Sequence, residues 1–173
     1  NGNSREIEAA LQEHRIDLGL VEGICRLPNL RYTTFLQDEL VAVVHTGSKL
    51  SLPDEITPED LSRIPLVLRE RGSGTLDVFE RALSEHNMKL SSLNVLLYLG
   101  STESIKLFLE HTDCIGIVSI RSISRELLSG TFRVIEIKGM PMLREFCFAQ
   151  PQGQESGLSQ VLMQFAMHHN KKL

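Results

Sequence analysis

Leu66-Val67-Leu68-Arg69-Glu70-Arg71-Gly72-Ser73-Gly74-Thr75-Leu76 runs from a short apolar segment through a glycine loop into a helical pattern. Pro65 stops the short helix before it and opens the strand, and Leu76, Phe79 and Leu83 then recur on one helical face. The same succession returns downstream. Val95–Leu99 reads as a strand, followed by Gly100-Ser101-Thr102-Glu103 and a helix carrying Ile105, Phe108 and Leu109. Ile115-Gly116-Ile117-Val118 is the next strand, with a polar helix after it around Ser122 to Leu128 that Gly130 ends. Strands alternating with helices predict βαβ units, an α/β fold and largely parallel sheets covered on both faces.

Working outward, Ile7, Ala10, Leu11 and His14 follow the i, i+3, i+4, i+7 rule after Asn3-Ser4, and Asn3 with Glu6 reads as an N-cap pair. Asp17-Leu18-Gly19-Leu20-Val21 and Leu40-Val41-Ala42-Val43-Val44 are strand candidates. Thr57-Pro58-Glu59-Asp60 is a helix start, with Thr as cap and Pro at the first helical position. Beyond the central units, Phe132 to Ile137 and Arg144 to Ala149 read as strands. The chain then closes on a helix predicted to turn Leu158, Val161, Leu162 and Phe165 inward.

Size and composition set the frame. A length of 173 residues suits one domain or two small lobes, and 42% hydrophobic with 23% charged residues is ordinary for a globular chain. No run approaches the 18 or so apolar residues of a membrane span, so no membrane partner is expected. The opening Asn1-Gly2-Asn3-Ser4-Arg5 has no apolar export signal. A net charge of −4, with scattered Lys and Arg, gives this chain no basic face for nucleic acid. Cys25, Cys114 and Cys147 are far apart and form no Cys-x-x-Cys pair, so free, mostly buried thiols in a reducing cytoplasm are expected.

The familiar catalytic and phosphate-loop motifs are absent from the sequence. His111-Thr112-Asp113-Cys114 offers one ligand pair where a closed metal site needs four ligands, and His168-His169 reads as a solvated helix tail. Ser119 and Cys114 lack a base to activate them. No catalytic residue, metal or cofactor is therefore predicted. Three helix starts share another chemistry: Gly2-Asn3-Ser4, Gly72-Ser73-Gly74-Thr75 and Gly100-Ser101-Thr102 each place small or hydroxyl residues where unpaired N–H groups meet the positive end of a helix. Such ends hold carboxylate, sulfate or phosphate groups. The alternative is that each hydroxyl is an ordinary cap. Arg69 and Arg71 stand beside the second loop as candidate counter-charges.

Taken in order, these segments resemble a known family: Asn1-Gly2-Asn3-Ser4, Arg15-Ile16-Asp17-Leu18-Gly19-Leu20-Val21-Glu22-Gly23, Leu40 to Val44, Arg69 to Thr75, Gly100-Ser101-Thr102-Glu103-Ser104-Ile105-Lys106 and Gly116-Ile117-Val118-Ser119. The series is similar to the effector-binding domain of LysR-type transcriptional regulators across nearly the whole chain. The Gly-Ser-Gly-Thr and Gly-Ser-Thr-Glu pair looks most like the branch that includes regulators of sulfur assimilation and carbon fixation.

The resemblance implies two Rossmann-like subdomains in a periplasmic-binding-protein-like (type 2) arrangement, joined by two crossover strands, with the effector in the cleft between them. Residues 1–42 plus 139–173 would form subdomain one and residues 43–138 subdomain two, with 41–44 and 134–137 crossing. It places effector contacts on Asn3 and Ser4 and on Ser73, Gly74 and Thr75; dipole reasoning adds Ser101 and Thr102. It also implies a small anionic metabolite as partner, a homodimer or tetramer, and DNA contact only through a winged helix-turn-helix outside this chain. The first strand, helix and second strand of subdomain one would likewise lie outside it. Two other functions remain open at this point. One is a solute-binding protein of a transporter; the other is a dehydratase-like enzyme, with Glu22 and Glu103 as the only acidic candidates near the predicted loops.

Overall fold

The computed structural model describes residues 2–22, 27–153 and 157–170, so Cys25 lies outside the described residues. The chain divides into two compact units, Asn1–Gln37 with Arg144–Leu173 and Asp38–Leu143. Both divisions fall inside strands, the first in β2 (Leu30–His45) and the second in β8 (Met142–Pro151).

The first unit is built on β8, which pairs antiparallel with β1 (Gly19–Glu22) and lies next to the first half of β2. Helix α1 (Ser4–Gln12) starts on the expected cap: Asn3 Oδ1 accepts from the Glu6 N–H, and Glu6 Oε2 accepts from the Asn3 N–H. Leu11 packs with Val21, Leu30 and Ala149. Gly19 lets the helix sit close, because a Cβ there would meet Ile7 Cγ2 at 2.4 Å. The helix ends before His14, which adopts a left-handed backbone (φ 54°) and is exposed, so His14 is not part of the apolar face. Tyr32 donates to Glu8 Oε1 and accepts from the Leu27 N–H; burial pushes its hydroxyl up to about 12.

The closing helix α5 (Gly157–Asn170) corrects the sequence expectation. Leu158, Val161, Leu162 and Phe165 point outward, between 54 and 80% exposed. The covered side instead carries Ser159, Met163, Ala166 and Met167. This helix bears two apolar stripes, and 3.6-residue periodicity alone does not say which of two stripes meets a core.

In the second unit the strand order is β5-β4-β6-β2-β7-β3, with β3 (Glu55–Ile56), β4 (Leu66–Arg69), β5 (Val95–Leu99), β6 (Ile115–Ser119) and β7 (Phe132–Ile137). β4 pairs parallel with β5 and β6, and β3 parallel with β7. β2 runs against both β6 and β7. The sheet is therefore mixed rather than simply parallel, because a long strand entering from the other unit lies in its middle. Residues 134–137 fall within this unit, with Val134 and Ile135 paired to β2 and Glu136 and Ile137 to β3.

Helices α2 (Gly74–Glu85), α3 (Thr102–His111) and α4 (Ser124–Leu128) follow β4, β5 and β6. Ile105 and Leu109 of α3 pack with Val43, Val67, Val118, Ile123 and Phe132. Gly116 permits that approach, since a Cβ there would meet Ile105 Cγ2 at 2.9 Å. The Thr57 start yields only a 3-10 helix, Pro58–Ser62, with its capping box to Asp60 formed. No described helix is long and apolar enough to cross a membrane.

The resulting fold is α/β, with helices following the parallel strands of a mixed sheet.

Candidate functional site

Parallel strands with helices after them bring all their carboxyl ends, and the helix N-termini that follow, to one edge of a sheet. In the second unit that edge is made by β5, β4 and β6, and by the start of the β2 half that runs against β6. Across it stand Ser101 after β5, Ser73 after β4, Ser119 at the end of β6 and Asp38 on β2.

The β4 loop turns on Gly72, whose φ of 89° suits glycine. Ser73 caps α2 with its Oγ accepting from the Thr75 N–H at 3.2 Å. Ser73 and Thr75 are only 2% and 4% exposed, and Gly74, also buried, is the first residue of the helix. Both hydroxyl residues are therefore buried, and Ser73 Oγ is anchored by its cap bond. Arg69 is not a free counter-charge: its guanidinium makes two contacts to the Glu70 carboxylate, at 2.8 and 3.2 Å. Arg71 is exposed and has no ionic partner among the described residues.

After β5, Ser101 Oγ accepts from the Ser104 N–H at 3.1 Å and lies 2.8 Å from Ser104 Oγ. Thr102 opens α3, half-buried, with no side-chain hydrogen bond among the described residues. One turn on, Lys106 Nζ reaches Glu126 Oε1 at 2.6 Å, Glu103 Oε1 at 3.1 Å and the Ser122 carbonyl at 3.3 Å. Burial acts to lower the Lys106 pKa, but the hydrogen bonds to Glu126 and Glu103 outweigh it and hold it above its ordinary value. Glu126, hydrogen-bonded to Lys106, is held below its own. Glu103 thus serves an ion pair on the helix surface.

The edge also holds a group that the sequence pattern did not single out. Asp38, 4% exposed, accepts from Ser119 Oγ at 2.8 Å and lies 3.9 Å from Arg121 Nε. Ser119 in turn caps the 3-10 turn that follows, accepting from the Arg121 N–H at 3.2 Å. The only local sign of Asp38 was an acidic pair, Asp38-Glu39, immediately before the apolar run of β2.

Asn3 and Ser4 belong to the first unit. Asn3 is engaged in its capping box, and Ser4 Oγ accepts from the Glu22 N–H at 3.2 Å. Glu22 is ion-paired to Arg144, whose guanidinium stands 4.7 Å over the Phe146 ring. Both acids weighed for catalysis are therefore in ion pairs. Asp113 of the weak metal pair is a loop clasp, accepting from Ser48 Oγ and the Lys49 N–H. No group of three or more possible metal ligands occurs among the described residues.

The chain matches the family described as LysR substrate binding domain over residues 1–171. It is 33% identical over 136 residues to the HTH-type transcriptional regulator YeiE of Escherichia coli K12, covering 79% of this chain and 45% of that protein. It is 29% identical over 171 residues to the transcriptional activator CmpR of Synechocystis, covering 98% of this chain and 55% of that protein. The chain thus spans about half the length of these relatives.

Among solved structures, the Synechocystis CcmR regulatory domain in complex with 2-PG superposes with a TM-score of 0.84 at 24% identity, over 99% of this chain and 81% of that one. The effector-binding domain of QuiR in complex with shikimate gives 0.82 at 20% identity, over 99% and 79%. The relatives are regulators and the family is regulatory rather than enzymatic, which removes the dehydratase reading. With the family match spanning residues 1–171, the chain belongs to the LysR substrate-binding domain family and is an effector-binding domain of a LysR-type regulator.

Proposed function

We infer that this domain senses a small anionic metabolite and through it controls DNA binding and transcription by a regulator of which it is one part. The observation that carries the reading is the edge of the second unit, where two capped helix N-termini and two buried hydroxyl residues stand at the ends of adjacent parallel strands. Free N–H groups and the positive helix ends there favour an oxyanion over a neutral or cationic ligand. Ser73, Gly74, Thr75, Ser101 and Thr102 supply the contacts from this unit, and Asn3 and Ser4 from the other, with the effector between subdomains one (1–42 plus 139–173) and two (43–138). The complexes of the CcmR regulatory domain with 2-PG and of the QuiR effector-binding domain with shikimate support a small-molecule effector. The regulator works as a homodimer or tetramer in the cytoplasm, with DNA bound by a domain outside this chain.

A thermal-shift screen of organic acids and phosphate and sulfate esters, followed by calorimetric titration of each hit, tests this. At least one anion should raise the melting temperature, and Thr102→Val should weaken it selectively. Hits confined to neutral or cationic compounds would reject the anion.

A further inference from the structure

The β2–β6 register brings a charge pair to the edge of the second unit. Leu40 pairs with Ser119 and Val41 with Val118, so continuing the antiparallel count sets Asp38 opposite Arg121, just past the end of β6. Both residues belong to this unit. Their exposures are opposite: the Asp38 side chain is 0% exposed and that of Arg121 57%. Arg121 Nε stands 3.9 Å from Asp38 Oδ1, close enough for attraction and too far for a hydrogen bond. The guanidinium makes no hydrogen bond among the described residues.

A buried carboxylate at this edge works against an anion. The helix starts at Ser73 and Ser101 attract negative charge, and Asp38 repels it. An oxyanion there needs a cation to offset Asp38. Arg69 is clamped to Glu70, and Lys106 is held by Glu126 and Glu103. Arg71 is exposed and nothing ionic holds it over the edge. Arg121 combines the two properties required, since it is open to solvent and drawn to the edge by Asp38.

We propose that Arg121 is the cation that meets the effector's oxyanion, and that Asp38 competes with the effector for its guanidinium. The proposal rests on the reading of this edge as an anion site, and gives that site a charge threshold. A ligand enters by drawing the guanidinium away from Asp38, and a neutral ligand has no charge with which to do so. When the guanidinium shifts, the buried carboxylate still accepts from Ser119 Oγ at 2.8 Å, so it is not left without a donor. The spacing also makes the contribution one of charge. A planar fork engaged by two hydrogen bonds would demand arginine; a single attraction at this distance accepts lysine.

The test is titration of the 173-residue chain with inorganic phosphate at constant ionic strength, read by the amide resonances of residues 73–75 and 101–102. Those amides should shift in the parent. Arg121→Gln should weaken phosphate about tenfold or more, the size of one charge-assisted hydrogen bond. Arg121→Lys should stay within about threefold of the parent, because the charge remains. Asp38→Asn should tighten phosphate about threefold or more by removing the competitor, a change that a merely structural role would not produce. Arg81→Gln removes an equal charge far along α2, where Arg81 pairs with Glu85, and should leave binding unaltered. If Asp38→Asn misfolds, the contrast between Arg121→Gln and Arg121→Lys decides. Amides that shift with the same affinity in the parent and Arg121→Gln overturn the proposal and leave the anion site standing. Equal weakening in Asp38→Asn and Arg121→Gln overturns it as well, and makes the pair a structural brace. Amides that stay still in the parent at every concentration remove the anion from this edge, and the proposal with it.

Discussion

Ser119 Oγ donates to Asp38 Oδ1 at 2.8 Å, tying the end of β6 to the first residue of the second unit on β2. The two residues are 81 positions apart, and the carboxylate is almost wholly buried. Ser119 also caps the turn after β6, so one hydroxyl holds a buried charge and the start of a helical turn together. A buried carboxylate that loses a donor bears its own desolvation. Ser119→Ala is therefore expected to cost about 1–3 kcal/mol of stability. Urea unfolding measures this, and a midpoint unchanged from the parent would show that the contact carries no stability.

The two hydroxyls at the start of α3 should separate by role. Ser101 bonds the Ser104 N–H, so Ser101→Ala should lose about 1 kcal/mol of folding stability, the usual worth of a cap. Thr102 makes no such bond with its side chain, and Thr102→Val should leave unfolding nearly unchanged. If Thr102 meets the effector, the same change weakens the effector response by about 1–2 kcal/mol. Paired denaturation and titration of both variants decide it: stability lost equally with binding in Thr102→Val would make Thr102 a structural residue.

The contrast between local and distant chemistry also explains what the sequence revealed. The caps at Asn3, Ser73 and Ser101 and the box from Thr57 to Asp60 were legible because each involves residues no more than three apart. The strand–helix alternation was legible for the same reason. Residues 30–39 of β2 were not, because their sheet-favouring Tyr32, Thr33, Thr34 and Phe35 lack a continuous apolar run to mark a buried strand. Asp38 was hidden because its partner is reached only through the β2–β6 pairing. The outward seam of α5 was misjudged because two apolar stripes satisfy one periodicity.

Stability should depend on acid through Glu126. Its hydrogen bond to Lys106 lowers its pKa in the fold below the ordinary 4.5. A depressed acid contributes stability that is complete above the unfolded value and is lost as pH falls through the folded one. The Lys106 side acts at the other end: its raised pKa contributes below 10.5 and is lost as pH rises through the folded value. Glu126→Gln should flatten the decline below pH 4.5 in thermal unfolding against pH, though Asp60 and Asp113, also lowered by hydrogen bonds, keep part of it. An unaltered acid limb in Glu126→Gln would assign that decline to the other carboxylates.

Cys114 should be a silent thiol until the protein unfolds. It is fully buried at the entry to β6, with no exposed surface. Burial first, and the neighbouring Asp113 second, raise its pKa from 9.0 to about 11. The thiolate is the reactive form, so two units leave about a hundredfold less of it at pH 8 than an unfolded thiol would have, before access is considered. A raised acid behaves opposite to Glu126: its contribution is complete below pH 9, where both states hold the proton, and is lost between 9 and about 11 as the unfolded chain ionises. Labelling with a thiol reagent at pH 8, read by peptide mass spectrometry, should leave Cys114 unmodified in the native protein and label it fully in urea. Cys147, equally buried on β8, should follow it. Cys114→Ala should flatten the stability profile between pH 9 and 11. Native-state labelling of Cys114 as fast as in urea would mean that β6 opens readily and that the thiol is reachable in the folded protein.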